Sequence, residues 1–338
     1  MAPELLGQAK AFLDKALPPA RLGVVGDLAL DRFVFGSVDR ISPEAPIPVL
    51  AVDNTQDRLG CAANVARGIA ALGKPFQTKV EVVGVVGDDL EGRQLVAALK
   101  ELGTGVSVHV VQDPSRPTTL KTRYLAGSQH QLLRVDREST AFLSPDIEAQ
   151  LRAHVSKLWG DLKVLVVQDY AKGLFSETFL AWLFQEARQR GVLTVVDPNP
   201  RTPGKFYKGA GLLTPNVSEA EALLGRSLGK GRDDGVVAEA CRELRAKFLL
   251  DQVLITRSAH GMTLLDDKFQ VHHFPSVARA VYDVTGAGDT VVATIAAAHA
   301  SGASLPVACT LASLAASIVV GKVGTATATV DELRASLA

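Results

Sequence analysis

The 338-residue chain has only three cysteines, Cys61, Cys241 and Cys309, widely spaced and without a C-x-x-C pair, which excludes a disulfide framework and a zinc knuckle. A reducing, cytoplasmic setting is the expectation. Net charge is also lacking: 36 Lys and Arg balance 36 Asp and Glu, so no global field favours nucleic acid or an anionic membrane as partner. Any anionic ligand must be held locally. The start of the chain lacks the apolar core of a targeting signal; Leu5, Leu6, Phe12, Leu13 and Leu17 recur there among charges at helical spacing, as on a surface helix. The most apolar late stretch, Ala303 to Val320, contains Pro306 and lies between Gly302 and Gly321, so it reads as a buried helix and not a membrane span. No G-x-x-x-x-G-K-S/T occurs, which excludes a P-loop enzyme.

What is present is a chain 47% hydrophobic and 21% charged, enough apolar material for a large core. Short Val/Ile-rich runs, Leu22 to Val25, Val80 to Val86, Val106 to Val111, Val164 to Val167, Val192 to Val196 and Val253 to Ile255, alternate with segments of helical period. A helix opens near Ala62, and others are expected near Asp89 to Leu102, Ser176 to Arg190 and Asp234 to Phe248. This is the βαβ pattern of a parallel sheet covered on both faces, hence a three-layer α/β/α fold. Two stretches, about 32–52 and 118–136, carry strand residues with no long helix between them. They predict a small antiparallel lid inserted in a single domain spanning 1–338.

The strongest chemical signal is Asp283-Val284-Thr285-Gly286-Ala287-Gly288-Asp289-Thr290, followed by an Ala-rich helical stretch. Glycines let the backbone turn sharply and approach a ligand, and the free N–H groups of the helix start, aided by its dipole, favour phosphate oxygens. Gly286, Ala287 and Gly288 are thus expected to form an anion turn. Asp289, in the same turn, lies within reach of a nucleophile attacking that phosphate, the placement of a general base in phosphoryl transfer.

At this point the chain resembles the ribokinase-like, phosphofructokinase B type carbohydrate kinases. Residues 283–289 match their D-x-T/S-G-A-G-D signature, and Arg58-Leu59-Gly60-Cys61-Ala62-Ala63-Asn64-Val65-Ala66 is similar to their N-terminal one, with Cys61 where that family usually has its second glycine. Gly26-Asp27 with Asp31, Thr214-Pro215-Asn216 with Glu219, Thr256-Arg257-Ser258 with Gly261, and Gly321 to Thr325 follow in the family's order, so the resemblance covers about residues 20–330. Within that family, Arg40-Ile41-Ser42-Pro43-Glu44-Ala45-Pro46 and Asp169-Tyr170-Ala171-Lys172-Gly173 look like bacterial D-glycero-β-D-manno-heptose 7-phosphate kinases. The resemblance implies transfer of phosphate from ATP, with Mg²⁺, to O1 of that phosphosugar ahead of lipopolysaccharide core assembly. In many bacteria such a kinase is fused to a nucleotidyltransferase; no H-x-G-H motif occurs here, so a stand-alone kinase is expected. The alternatives are a family member acting on another sugar or a nucleoside, and a non-catalytic sensor with this fold.

The remaining site residues follow from both lines. Asp31, after the first strand, can accept hydrogen bonds from sugar hydroxyls or pair with Arg32 or Arg40. Asn64 can donate and accept at one hydroxyl or cap a helix. The resemblance adds Gly60 and Asp169 on the sugar side, and Thr256, Ser258, Gly261, Thr285, Gly321 and Gly324 on the nucleotide side. A phosphorylated sugar needs cations: Lys121 and Arg123, two apart on one strand face, with Arg134 and Lys172, are the candidates. Asn216 and Glu219 lie on one face of a helix start, where they can hold Mg²⁺ through water or form a capping box. The resemblance leaves open a monovalent cation beside the anion turn. Asp197 reads as a carboxylate near a rim loop. His272 and His273, adjacent on a strand, face opposite ways and are not expected to bind metal. A homodimer through the lid is expected, because Phe33, Phe35, Ile47, Val49 and Leu50 are more than a small sheet can bury alone.

Overall fold

A computed structural model describes residues 3–15, 19–127, 130–277, 282–322 and 326–337. In chain order the strands are β1 (Arg21–Gly26), β2 (Leu28–Ile41), β3 (Pro48–Cys61), β4 (Lys79–Val86), β5 (Val106–Gln112), β6 (Thr119–Ala126), β7 (His130–Arg137), β8 (Val164–Gln168), β9 (Leu193–Asp197), β10 (Leu212–Leu213), β11 (Gln252–Thr256), β12 (Met262–Leu265) and β13 (Val271–Phe274). The helices are α1 (Pro3–Leu13), α2 (Ala62–Gly73), α3 (Leu90–Lys100), α4 (Pro145–Ser156), α5 (Glu177–Gln189), α6 (Val217–Leu224), α7 (Asp234–Phe248), α8 (Ala287–Ala300), α9 (Leu305–Val320) and α10 (Val330–Ser336).

Nine strands form one sheet in the order β13-β12-β11-β10-β9-β8-β1-β4-β5. Pairing is parallel from β5 to β11; β12 and β13 extend it as antiparallel edge strands. Alternation at period two divides its side chains between two cores. Val24, Val166, Val195 and Leu254 enter one, with α1, α2, α3, α8, α9 and α10. Val25, Val167, Val196 and Ile255 enter the other, with α4, α5, α6 and α7. The three-layer α/β/α expectation therefore holds. Side-chain caps start the helices where the sequence suggested: Asp89 accepts from Gly92, Ser176 from Phe179 and Asp233 from Val236. The apolar stretch after Gly302 is α9, packed against α8 and α1. Among the described residues no helix is long and apolar enough to cross a membrane. Leu17 lies outside them.

The smaller sheet has the order β3-β2-β6-β7. Its two outer pairs are antiparallel hairpins, while the central β2–β6 pair is parallel. The second expected stretch, 118–136, coincides with β6 and β7, but the first hairpin is longer than 32–52, because β2 leaves the large sheet directly through Asp27 and β3 returns directly into α2 at Ala62. The two crossings are tied together: Leu28 pairs with Cys61, and the Ala62 N–H donates to the Asp27 carbonyl at 3.0 Å.

Candidate active site

The carboxyl ends of the parallel strands, the first turn of α8 and one face of the small sheet enclose a cavity of about 320 Å³. Ligand sites in open α/β sheets form at this strand edge. Of the expected site residues, Asp31, Gly60, Asn64, Lys121, Arg123, Asp169, Asn216, Glu219, Thr256, Thr285, Gly286, Gly288 and Asp289 line it, with Cys61, Tyr170, Asp197 and Thr214. A second cavity of about 440 Å³ adjoins it, lined by Ser258, Gly261, Val284, Ala287, Ala316 and Val320 among others, and sharing Asn216, Thr256, Gly288 and Val291 with the first. The two meet at the start of α8.

That start is built by Gly286, whose φ of 80° is open to glycine and strained for other residues. The Ala287 N–H bonds the Val284 carbonyl to close the turn, and the Thr285 N–H donates to the Asp283 carboxylate at 2.9 Å. The early N–H groups of the helix behind it have no acceptor within the helix itself. One turn in, Asp289 is held from three directions. Asn64 Nδ2 donates to Oδ2 at 2.6 Å, and the Tyr170 hydroxyl donates to Oδ1 at 2.9 Å. Gln168 Nε2 approaches Oδ1 at 3.4 Å. Burial pushes the Asp289 carboxyl above the usual carboxylate range, and the bonds from Asn64 and Tyr170 offset part of that rise. Asn64, expected at a sugar hydroxyl, lines the cavity and also bridges Asp289 to α2, its Oδ1 accepting from Arg67 at 2.7 Å.

On the small-sheet side, Arg123 Nη1 meets Asp31 Oδ1 at 2.6 Å, so the partner of Asp31 is neither Arg32 nor Arg40. Lys121 reaches the Cys61 sulfur at 3.4 Å and lies over the Tyr170 ring. A Cβ at Gly60 would stand 2.5 Å from Asp31 Oδ2, so any side chain there would displace that carboxylate. Cys61 adopts φ 53°, ψ −133°, a region nearly reserved for glycine. Burial pushes its thiol up to about 12. Phe33 lies between two guanidinium groups, Arg58 at 4.7 Å and Arg123 at 5.2 Å from the ring centroid.

Asn216 and Glu219 form a full capping box, the Glu219 N–H donating to Asn216 Oδ1 at 3.0 Å and the Asn216 N–H to Glu219 Oε2 at 2.8 Å. Capping does not remove them from the cavity wall. Burial raises Glu219, and it holds Asp197 well above the usual range, helped by the charges of Glu219 and Asp289. Among the described residues no three His, Cys, Asp or Glu side chains gather as a metal cluster, so a divalent cation at Glu219 and Asp197 would be held through water.

Other candidates fall elsewhere. Lys172 sits at the end of β8 as expected, but its ammonium is 2.6 Å from Glu138 and buried, away from this cavity. Arg134 stands directly opposite Arg123 on β7, paired with Asp136 at 2.9 Å and half exposed, at the rim. Ser258, Gly261 and Ala287 line the second cavity only. Gly321 follows Val320 at that cavity's edge, and Gly324 lies outside the described residues. His272 bonds Asp266 and His273 bonds Thr263. Sequence reasoning missed Arg58, Arg67, Gln168 and Tyr170. Arg58 and Tyr170 carried a usable signal, because each lies within a family-like string, Arg58 to Asn64 and Asp169 to Gly173.

The family model for pfkB family carbohydrate kinases matches residues 23–332. Among curated proteins, the chain is 47% identical to the "Bifunctional protein HldE" of Paramagnetospirillum magneticum over 93% of its own length, and 45% identical to that of Rhodospirillum rubrum over 97%. It covers 62% and 64% of those two proteins, so it spans less than two thirds of their length. Among solved structures, Escherichia coli phosphofructokinase-2 in complex with potassium aligns with a TM-score of 0.76 and 22% identity, over 94% of this chain and 99% of that one. Arabidopsis thaliana ribokinase complexed with ribose and ATP aligns with a TM-score of 0.68 and 21% identity, over 94% and 97%. At these identities the two structures speak to the fold alone.

Proposed function

The chain belongs to the pfkB family of carbohydrate kinases, and on that premise we propose that it transfers the γ-phosphoryl group of ATP to O1 of D-glycero-β-D-manno-heptose 7-phosphate. The observation that carries this reading is the position of Asp289, buried where a charged cavity and a largely apolar one meet at a helix N-terminus. In the reading, the sugar occupies the charged cavity and the nucleotide the other. Asp289 takes the proton from the O1 hydroxyl as that oxygen attacks the γ-phosphorus, and the bond to the β-phosphate oxygen breaks to release ADP. The first-turn N–H groups of α8 meet the charge on the transferred group.

Lys121 and Arg123, with Arg58 stacked beside Phe33, support a substrate that already carries a phosphate. Asn216 and Glu219, with Asp197 beside them, would hold Mg²⁺ through water; the ion supplies positive charge to the nucleotide phosphates. The relatives named HldE support the phosphosugar over a free sugar, and the place of action is taken to be the cytoplasm, within the supply of the lipopolysaccharide core. Of the apolar residues expected to drive a dimer, Phe33, Phe35, Val49 and Leu50 are half-buried and Ile47 is exposed; with exposed Ile41, Val52, Leu133 and Val135 on the small sheet, Ile47 supports a homodimer through the lid. Light scattering is expected to report a dimer at micromolar concentration; a monomer overturns that part. The central test is phosphate transfer from ATP to a panel of heptose, hexose and pentose phosphates and their unphosphorylated forms. The heptose phosphate is expected to be the best acceptor. Reaction of an unphosphorylated sugar alone overturns the reading, and absence of any transfer leaves a sensor.

A further inference from the structure

We propose that Tyr170 is a positioning residue for the general base: a loop clamped by two buried carboxylates sets its hydroxyl on Asp289 and so fixes that carboxylate in its proton-accepting state. The inference rests on the reading of Asp289 as the base.

The loop follows β8 over residues 169–173, and its backbone is held on both sides. Asp27 Oδ2 accepts the N–H of Tyr170 at 2.8 Å and that of Lys172 at 3.2 Å. Asp169 Oδ1 accepts the Ala171 N–H at 2.7 Å, while its Oδ2 takes the Tyr207 hydroxyl, also at 2.7 Å. Arg201 donates to the Tyr170 carbonyl at 3.3 Å and Arg116 to the Lys172 carbonyl at 3.0 Å. Ala171 is carried at φ 54° inside this frame. A side chain leaving so constrained a backbone has few alternative directions. Its hydroxyl lies 2.9 Å from Asp289 Oδ1, and the Lys121 ammonium lies 5.1 Å from its ring centroid. Tyr170 thus touches both the base and a cation of the sugar side.

Its chemistry is that of a donor. Burial and the Asp289 charge hold the phenol well above its ordinary value, so it stays protonated through the working range. A buried carboxylate needs such donors, because desolvation otherwise favours its neutral form. The other groups that face Asp289 are Asn64, backed by Arg67, on α2; Gln168 on β8; Asp31 on β2, whose charge opposes ionisation; Lys121 on β6, whose charge favours it; Cys61 at the end of β3, a protonated thiol; and Asp197 at the end of β9. Asn64 donates to the other oxygen and Gln168 reaches Oδ1 only at 3.4 Å, so the phenol supplies the short bond on Oδ1.

The test compares Tyr170→Phe and Asp289→Asn with wild type, using the best acceptor of the panel across a range of pH. Tyr170→Phe keeps the ring over Lys121 and removes only the donor. Its kcat is expected to fall about 10-fold, the effect of one hydrogen bond to a charged group, with a smaller change in KM. The sign of the pH effect follows from the base working deprotonated. Loss of a donor raises its pKa, so the acidic limb of the kcat profile moves to higher pH by about half a unit or more. A merely structural tyrosine would lower kcat equally at every pH and leave the limb in place. An unmoved limb beside a dead Asp289→Asn enzyme overturns the positioning role alone. An active Asp289→Asn enzyme overturns the base assignment and the inference with it.

Discussion

The two sheets are covered in different ways, and the active site draws on that difference. In the nine-stranded sheet, β1 and β8 are buried from end to end apart from Arg21, and their Val and Leu side chains feed two separate cores. Such strands have no side chain to spare for a ligand, so chemistry appears only where they stop: Gln168, Asp169, Asp197, Thr214 and Thr256 all lie at carboxyl ends. The four-stranded sheet is the reverse. One of its faces presents Asp31, Lys121, Arg123 and Arg134 in register, and Leu133 and Val135 on the other remain exposed. Its members are free to be charged because it leans on the rest of the molecule for stability. The large sheet therefore supplies a rigid edge that places Asp289, and the small sheet supplies a charged face opposite it.

This division sorts substitutions by what they change. On the large-sheet side, Asp289→Asn keeps the size of the side chain but cannot accept the proton, and kcat is expected to fall about 10²- to 10⁴-fold with nucleotide binding retained. Steady-state kinetics beside calorimetric titration of ATP measure both; a variant keeping more than about a tenth of wild-type kcat breaks the comparison at its strongest point. On the small-sheet side, Arg123→Ala is expected to raise KM for the phosphosugar about 10-fold while kcat changes less, because a contact made equally in ground and transition states is lost. An unphosphorylated analogue should barely register the change. If kcat collapses instead, the small sheet takes part in the chemical step and the division fails.

The smallest expected effect lies at the seam between the two regions. Cys61 ends β3 at φ 53°, ψ −133° and leads directly into α2, and Cys61→Gly removes a Cβ from a conformation that disfavours it. Relief of strain, less the greater freedom of glycine in the unfolded chain, leaves an expected gain of about 1 kcal/mol. The urea midpoint reads it. A lower midpoint would mean that the contact of the thiol with Lys121 outweighs the backbone.

Much of this was legible before any coordinates. The strand runs, the helices near Asp89, Ser176 and Asp234, and the turn ahead of α8 came from apolar runs, helical period and glycine placement, each acting within a few residues. Asn216 and Glu219 show the limit of that reading: their spacing allowed a metal pair or a capping box, and only the fold displays the box set into a cavity wall. Lys172 shows the same limit from the other side. Its place at a strand end was readable, but the direction of its ammonium depended on Glu138.

What the sequence by itself determined is the layered α/β architecture, the glycine turn and the presence of Asp289 in the first turn of a helix, all products of short-range stereochemistry and hydrophobic period. What only the tertiary structure decided is who meets whom: Arg123 with Asp31 across 92 residues, Tyr170 with Asp289 across 119, Asn64 with Asp289 across 225. Those pairings depend on sheet order and register, on β2 lying between β3 and β6 and on the loop after β8 being clamped by Asp27. Local preference carries no information about them, because the free energy that selects one long-range partner is released only when the whole core closes.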